Sequence, residues 1–421
     1  MANQPRRWKD RLPGYRGLSR AARRLRDGLV LLPAICAVML CRLLRPIVLV
    51  RFGWIRASRI GHLVFETDLY LCERRAGLHP RRSLDLFYFD SPPCNRQVAA
   101  MFRRCMWIHP LVRRLDRVNK WLPGGAPHQV TILGRDTYFT PRDTHDLLVG
   151  SPAELQFTAE ERRRGDEQLE RLGIPRDAAV VCVHNRDSAF LREQFPHEVW
   201  DYHDYRDFSV EDLRPTVDEL VRRGYYVVRV GQQVAESLDH DSPRVIDYAS
   251  GEPNDFLDAY LCARCRFFVG NTSGLFLLAT AFRRPVVSVN HVPFGSISIC
   301  ASHDLVLPKL LWSEEKQRVL TLPEVVAAGA ANLYLGGDYV AAGLRAVSND
   351  PEDIRAAAAE LDDRLHGRFQ DTPRDQELAE ALRRIYDACG HVGQLRTRVA
   401  ATFLRRHSRL FETAPKASQA A

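Results

Sequence analysis

The run Gly270-Asn271-Thr272-Ser273-Gly274 follows an apolar stretch and opens another with helix-forming residues. Amides at a helix N-terminus, hydroxyls beside them and glycines that permit close approach suit the two phosphates of a diphosphate. A tight turn with Asn271 or Ser273 as an ordinary N-cap accounts for the same residues. A second polar turn, His184-Asn185-Arg186-Asp187, also leaves an apolar stretch. Arg186 offers a planar fork for phosphate and Asp187 could hold that fork in place; an exposed ion pair is the plain alternative. His203-Asp204-Tyr205-Arg206-Asp207 is dense in groups that bind polar ligands, so Tyr205 and Arg206 either reach phosphate or sugar or staple a loop. Arg229 ends the stretch YYVVRVG, and Asp247 with Tyr248 ends VID, where they could meet a ribose hydroxyl or a base edge. The candidate ligand-binding set is therefore His184, Arg186, Tyr205, Arg206, Arg229, Asp247, Asn271, Thr272, Ser273 and Gly274.

A proton acceptor is sought nearer the N-terminus, where Arg59-Ile60-Gly61-His62 precedes LVFE. His62, with Glu66 and Asp68 behind it, could deprotonate an attacking hydroxyl; a structural histidine and surface carboxylates would look the same. No DxD-like pair lies in a loop context that suits a metal, so no metal and no cofactor are expected. The 10 cysteines hold a single CxxC, Cys262 and Cys265, too few for a tetrahedral zinc site. They read as thiols of a reducing compartment.

These residues need elements to position them. From Ala178 onward, short β-rich stretches alternate with helical ones, which makes a parallel sheet crossed by βαβ connections. In such sheets ligands sit beyond the carboxyl ends of the strands, where both polar turns lie. Residues 56–152 read as a first α/β domain, with strands at His62–Glu66, Leu84–Phe89 and Gln129–Leu133. Residues 153–348 read as a Rossmann-like domain opened by the capping box of Thr158 and Glu161, and residues 349–421 as a helical tail.

The formal charge of +8 is concentrated in residues 1–59, which hold 14 basic and 2 acidic side chains, and a tail-borne charge of this kind excludes a nucleic-acid-binding body. Residues 28–50 are apolar but broken by Arg42 and Arg45, with Pro33 and Pro46 inside them, too short and interrupted for a simple span. Residues 1–55 are therefore expected to lie on an anionic membrane surface, with Arg42, Arg45 and Arg51 among the headgroups. An N-terminal helix packed on the body is the alternative.

The segments RPIVLVRFG, SRIGHL, ETDLYL, HxYR, GYYVVRVG, DFLDAYL, GNTSGL, FRRPVVSVN and LPKLLW resemble a bacterial family of glycosyltransferases from surface-polysaccharide loci over most of residues 46–400. The resemblance implies an α/β GT-B-like fold of two Rossmann-like domains, with residues 56–152 on the acceptor side and residues 153–348 binding the nucleotide sugar. It also implies transfer of sugar from a nucleoside-diphosphate sugar to a glycan acceptor; with the membrane-facing arm, a lipid-linked glycan acceptor at the cytoplasmic face of the inner membrane is expected. More distantly, VHNRD resembles the strand-end His-x-Arg of fucosyltransferase-type enzymes, whose arginine neutralises the donor diphosphate; Arg186 takes that role by resemblance. Asp207 departs from the family pattern, which has Asn there. An epimerase or hydrolase of nucleotide sugars, or a non-catalytic scaffold, would fit the same scaffold.

Overall fold

A computed structural model describes residues 32–131, 143, 145–186, 205–389 and 395–411. Asp187, His203 and Asp204 lie outside the described residues, as do residues 1–31. Contacts divide the chain into two compact units, the first made of residues 1–56, 77–92 and 103–131 and the second of 57–76, 93–102 and 132–421.

The first unit is built on a parallel three-stranded sheet, β1 (Leu49–Ile55), β2 (Ser83–Phe89) and β3 (Trp107–Ile108). Val50, Phe52 and Trp54 stand in register with Leu84, Leu86 and Tyr88, so one face of this ribbon is apolar. The helix at 32–43 and the helix Val112–Trp121 cover that face, where Ala34 and Val38 join Val50, Phe52, Tyr88, Val112 and Val118 in one core. On the opposite face Arg51 and Asp85 share a register position and form a buried two-pronged pair, with both N–O distances 2.7 Å.

Within residues 28–50, residues 32–43 form a helix whose one side packs on the unit, and β1 begins at Leu49. The headgroup roles expected of Arg42 and Arg51 are corrected. Arg51 is spent on Asp85, and Arg42 donates to the carbonyls of Asn119, Leu122 and Pro123 at the end of the neighbouring helix. Neither is available to a headgroup; Arg45 is exposed. No helix of the described residues is long and apolar enough to cross a membrane.

The second unit carries a seven-stranded parallel sheet: β4 (Val180–His184), β5 (Tyr226–Arg229), β6 (Val245–Asp247), β7 (Phe267–Asn271), β8 (Val286–His291), β9 (Leu305–Pro308) and β13 (Arg398–Val399), in the order β13-β9-β8-β7-β4-β5-β6. From β4 the chain builds outward through β5 and β6, then returns to place β7 on the other side of β4. The switch point of the sheet therefore lies between β4 and β7. A small antiparallel sheet of β10 (Leu310–Ser313), β11 (Arg318–Val319) and β12 (Leu344–Val347) follows β9. The segment beyond residue 350 is mainly helical, as expected, but β13 sends it back to pair with β9 at the sheet edge.

The expected strand His62–Glu66 is instead part of a helix, Ile60–Arg75, assigned to the second unit. Ten of its residues, from Leu63 to Glu73, are buried around most of its girth, so it lacks the polar stripe that marks a surface helix. A short apolar run such as LVFE cannot be told from a strand by periodicity. The expected strand at Gln129–Leu133 is represented among the described residues by a single parallel bridge from Gln129 to Phe52.

Candidate functional site

A cavity of about 360 Å³ opens at the switch point, and every described residue lining it belongs to the second unit. Its floor is formed by two helix N-termini: Ser58 to His62 at the start of Ile60–Arg75, and Thr272 to Leu277 at the start of Gly274–Ala281. The two helices touch through glycines. A Cβ on Gly274 would lie 2.2 Å from Ile60 Cγ2 and 2.9 Å from the Gly61 amide nitrogen, so only hydrogen fits there. Neither helix is capped by its own side chain: Arg59 and Ser273 are both extended and make no cap hydrogen bond. Thr272 Oγ1 and Ser273 Oγ are buried and without a protein partner. Paired N-terminal dipoles, amides and unpartnered hydroxyls favour an anion here.

Among the described residues Arg59, Arg186 and Arg206 add three guanidinium groups to the lining, against one carboxylate, Asp258. Arg186 follows β4; its amide donates to Asn271 Oδ1 at 3.0 Å, and its guanidinium pairs with Asp207. Asp207, where the family resemblance implies Asn, thus supplies a carboxylate to this fork; Asp187, expected to hold it, lies outside the described residues. Asn271 is fully buried and spends its amide on two loops, accepting from Arg186 and donating to the Arg206 carbonyl at 2.8 Å. It therefore staples the site. Lys309 does the same from beneath, donating to the carbonyls of Tyr205 and Asp207 at 2.9 and 3.0 Å. Burial pushes its amine down to about 8.

His62 stands in the first turn of its helix with Nδ1 2.8 Å from Oε1 of Glu66, one turn on. Glu66 is almost completely buried beneath it. A carboxylate can only accept, so Nδ1 carries the proton and Nε2 is the basic atom. His184 Nδ1 similarly donates to the Val230 carbonyl at 2.9 Å, and His184 lines the cavity.

Other predicted residues lie elsewhere. Arg229 is fully buried and donates to Asn185, the Glu236 carbonyl and Asp247, while Asp247 also accepts from the Leu238 amide and Ser250. This pair ties β4, β5 and β6 together and does not line the cavity. Tyr205 donates to the Tyr334 carbonyl at 2.6 Å and packs on Tyr339. Asp68 is buried against Arg283, 2.6 Å away, with burial lifting its carboxyl to about 6 despite that partner.

Sequence reasoning missed Arg59 as part of the anion site, because the helix it precedes had been read as a strand. It also missed Asp258, which accepts from Gln232 at 2.5 Å and Tyr248 at 2.8 Å and which burial pushes up to about 7. The signal available was Asn254, an N-cap whose Oδ1 accepts from Leu257 and places Asp258 in the first turn. Among the described residues no group of three or more His, Cys, Asp or Glu is placed to hold a metal ion.

The chain matches no protein-family model and no curated relative. Among solved structures it is similar to the glycosyl transferase family 9 protein of Veillonella parvula (14% identity, 75% of this chain, 97% of that chain, TM-score 0.41). It is also similar to E. coli ADP-heptose lps heptosyltransferase II (14% identity, 62% and 90%, TM-score 0.34). A third is E. coli heptosyltransferase WaaC with ADP-2-deoxy-2-fluoro heptose (15% identity, 57% and 88%, TM-score 0.30).

Proposed function

We propose that the chain is a GT-B-like glycosyltransferase whose second unit binds a nucleoside-diphosphate sugar and passes the sugar to a glycan acceptor. One observation carries this reading: two uncapped helix N-termini, two unpartnered hydroxyls and three guanidinium groups line one cavity at the switch point of a parallel sheet. His62 Nε2 takes the proton from the acceptor hydroxyl as its oxygen attacks the anomeric carbon. The bond from that carbon to the phosphate oxygen breaks, and the departing diphosphate carries its new charge to Arg186, Arg206 and the helix amides. Neutralisation is thus assigned to the chain's own cations and dipoles. Glu66 fixes the tautomer of His62. The acceptor in this reading is a lipid-linked glycan of a surface polysaccharide, met by a protein held peripherally on an anionic inner-membrane surface.

Calorimetric titration of ADP, UDP, GDP and CDP into wild type and Arg186→Ala tests the site. A charged hydrogen bond contributes about 1.5–3 kcal/mol, so the variant should bind its best nucleotide about ten-fold more weakly or worse, with Arg186→Lys intermediate. Equal affinity in all three would place the nucleotide elsewhere, and binding of none would leave a scaffold. Incubating the corresponding nucleotide sugars with and without acceptor then separates transfer from hydrolysis or epimerisation.

A further inference from the structure

The helix at 32–43 is apolar on both sides. Ala34 and Val38 face the sheet, while Leu32, Met39, Leu40 and Leu43, with Ile47 just beyond, are between 52% and 76% exposed. Their spacing from Leu32 (seven, eight, eleven and fifteen residues) follows one stripe of a helix. Arg42 ties the end of this helix to the carbonyls of Asn119 and Leu122, which brackets Trp121, itself 69% exposed. An outward tryptophan beside an outward aliphatic stripe is the composition of a lipid–water interface.

The charge of the first unit points the same way. The unit holds 21 Lys and Arg against 5 Asp and Glu, a net of +16, which leaves 39 against 47, or −8, for the second. Of the three acidic residues among its described positions, Asp85 and Asp116 are buried. Arg45, Arg114 and Arg117 are exposed on the segments that carry the stripe. A second copy of so cationic a unit would repel the first; nine of its 21 Lys and Arg lie in residues 1–31.

We propose that this folded face docks on an anionic lipid surface, the aliphatic stripe and Trp121 entering the acyl boundary and the arginines meeting the headgroups. The inference deepens the membrane-surface part of the function above and rests on it, and assigns the contact to the packed helix at 32–43 and to Trp121 rather than to residues 1–31. The test is flotation of the full chain with phosphatidylcholine vesicles that contain or lack phosphatidylglycerol. Wild type should float only with the anionic vesicles and be released by added salt. Leu40→Glu/Leu43→Glu and, separately, Trp121→Glu should each reduce partitioning about ten-fold or more, since exposed positions can take a charge without unfolding. Unchanged thermal unfolding and nucleoside diphosphate binding show that the variants are folded and separate this result from the donor site. Arg20→Gln/Arg23→Gln/Arg24→Gln/Arg26→Gln should keep the leucine-dependent binding. Wild-type flotation in the leucine and tryptophan variants, equal flotation with neutral vesicles, binding lost only in the arm variant, or a dimer that the leucine variant dissociates would each overturn the proposal.

Discussion

The first unit carries a net charge of +16 and leaves large apolar side chains in solvent, whereas the second carries −8 and gathers three guanidinium groups around a cavity. Each unit also buries an Arg–Asp pair, Arg51 with Asp85 in the first and Arg283 with Asp68 in the second. The difference is in what surrounds those pairs. In the second unit, loops at the carboxyl ends of β4 and β7 are stapled by Asn271 and Lys309, so their cations are held before a ligand arrives. In the first unit the outward cations stand on a helix, as Arg114 and Arg117, or in the turn after one, as Arg45, and are suited to a diffuse, fluid surface of charge. Positioning separates a site from a docking face, since a preorganised cation loses less freedom on binding.

That contrast can be broken most severely at His62. If the second unit alone performs chemistry, His62→Ala should lower turnover about a hundred- to ten-thousand-fold, the usual range for a positioned acid or base, and change nucleoside diphosphate affinity much less. Glu66→Gln should fall between the variant and wild type, because it keeps a partner for Nδ1 without the charge. Near-normal turnover in His62→Ala would leave the proton to another group. Next in size is the first unit's own stability. Asp85→Ala strands the Arg51 guanidinium in a buried position and should cost about 3–5 kcal/mol of that unit's unfolding free energy. Nucleotide affinity should be unaffected, since no described residue of the first unit lines the cavity; a parallel loss of affinity in calorimetry would contradict the separation.

The smallest effect sharpens the comparison through pH. Burial lifts Asp258 to about 7, so the folded chain holds a proton that the unfolded chain releases near its ordinary value of 3.8. The stability from that proton is complete below the unfolded value and is lost as pH rises towards 7. Asp258→Asn should therefore flatten the fall in second-unit stability from about pH 5 to 7, by on the order of 1 kcal/mol per pH unit at most. Asp304, also raised to about 7, and Asp68, raised to about 6, act in the same direction and remain in the variant. An unaltered slope in denaturant titrations would mean that Asp258 is ionised in the folded chain throughout.

Local signals in the sequence were reliable where neighbours along the chain supply the partner. The capping box of Thr158 and Glu161 forms with both of its hydrogen bonds, Asp350 caps the helix Pro351–Leu365, and the strands that flank the Gly270–Gly274 turn stand where the apolar runs put them. Arg186, Thr272, Ser273 and Gly274 reach one cavity for the same reason: each leaves a strand at a parallel-sheet edge, and parallel strands send all their carboxyl ends to that edge. Tertiary structure alone decided the rest. Ile60–Arg75 is a helix because packing buries most of its girth, which erases the periodicity that would have announced it, and its N-terminus thereby became half of the anion site. Arg229 and Asp247 left the ligand set because their charges neutralise each other across neighbouring strands, a pairing eighteen residues apart that no local pattern records. Of the first unit's +16, +11 lies in residues 1–56 and was legible along the chain, whereas the +5 of residues 103–131 joins it only through tertiary contacts, because charge summed along a chain does not report charge gathered in space.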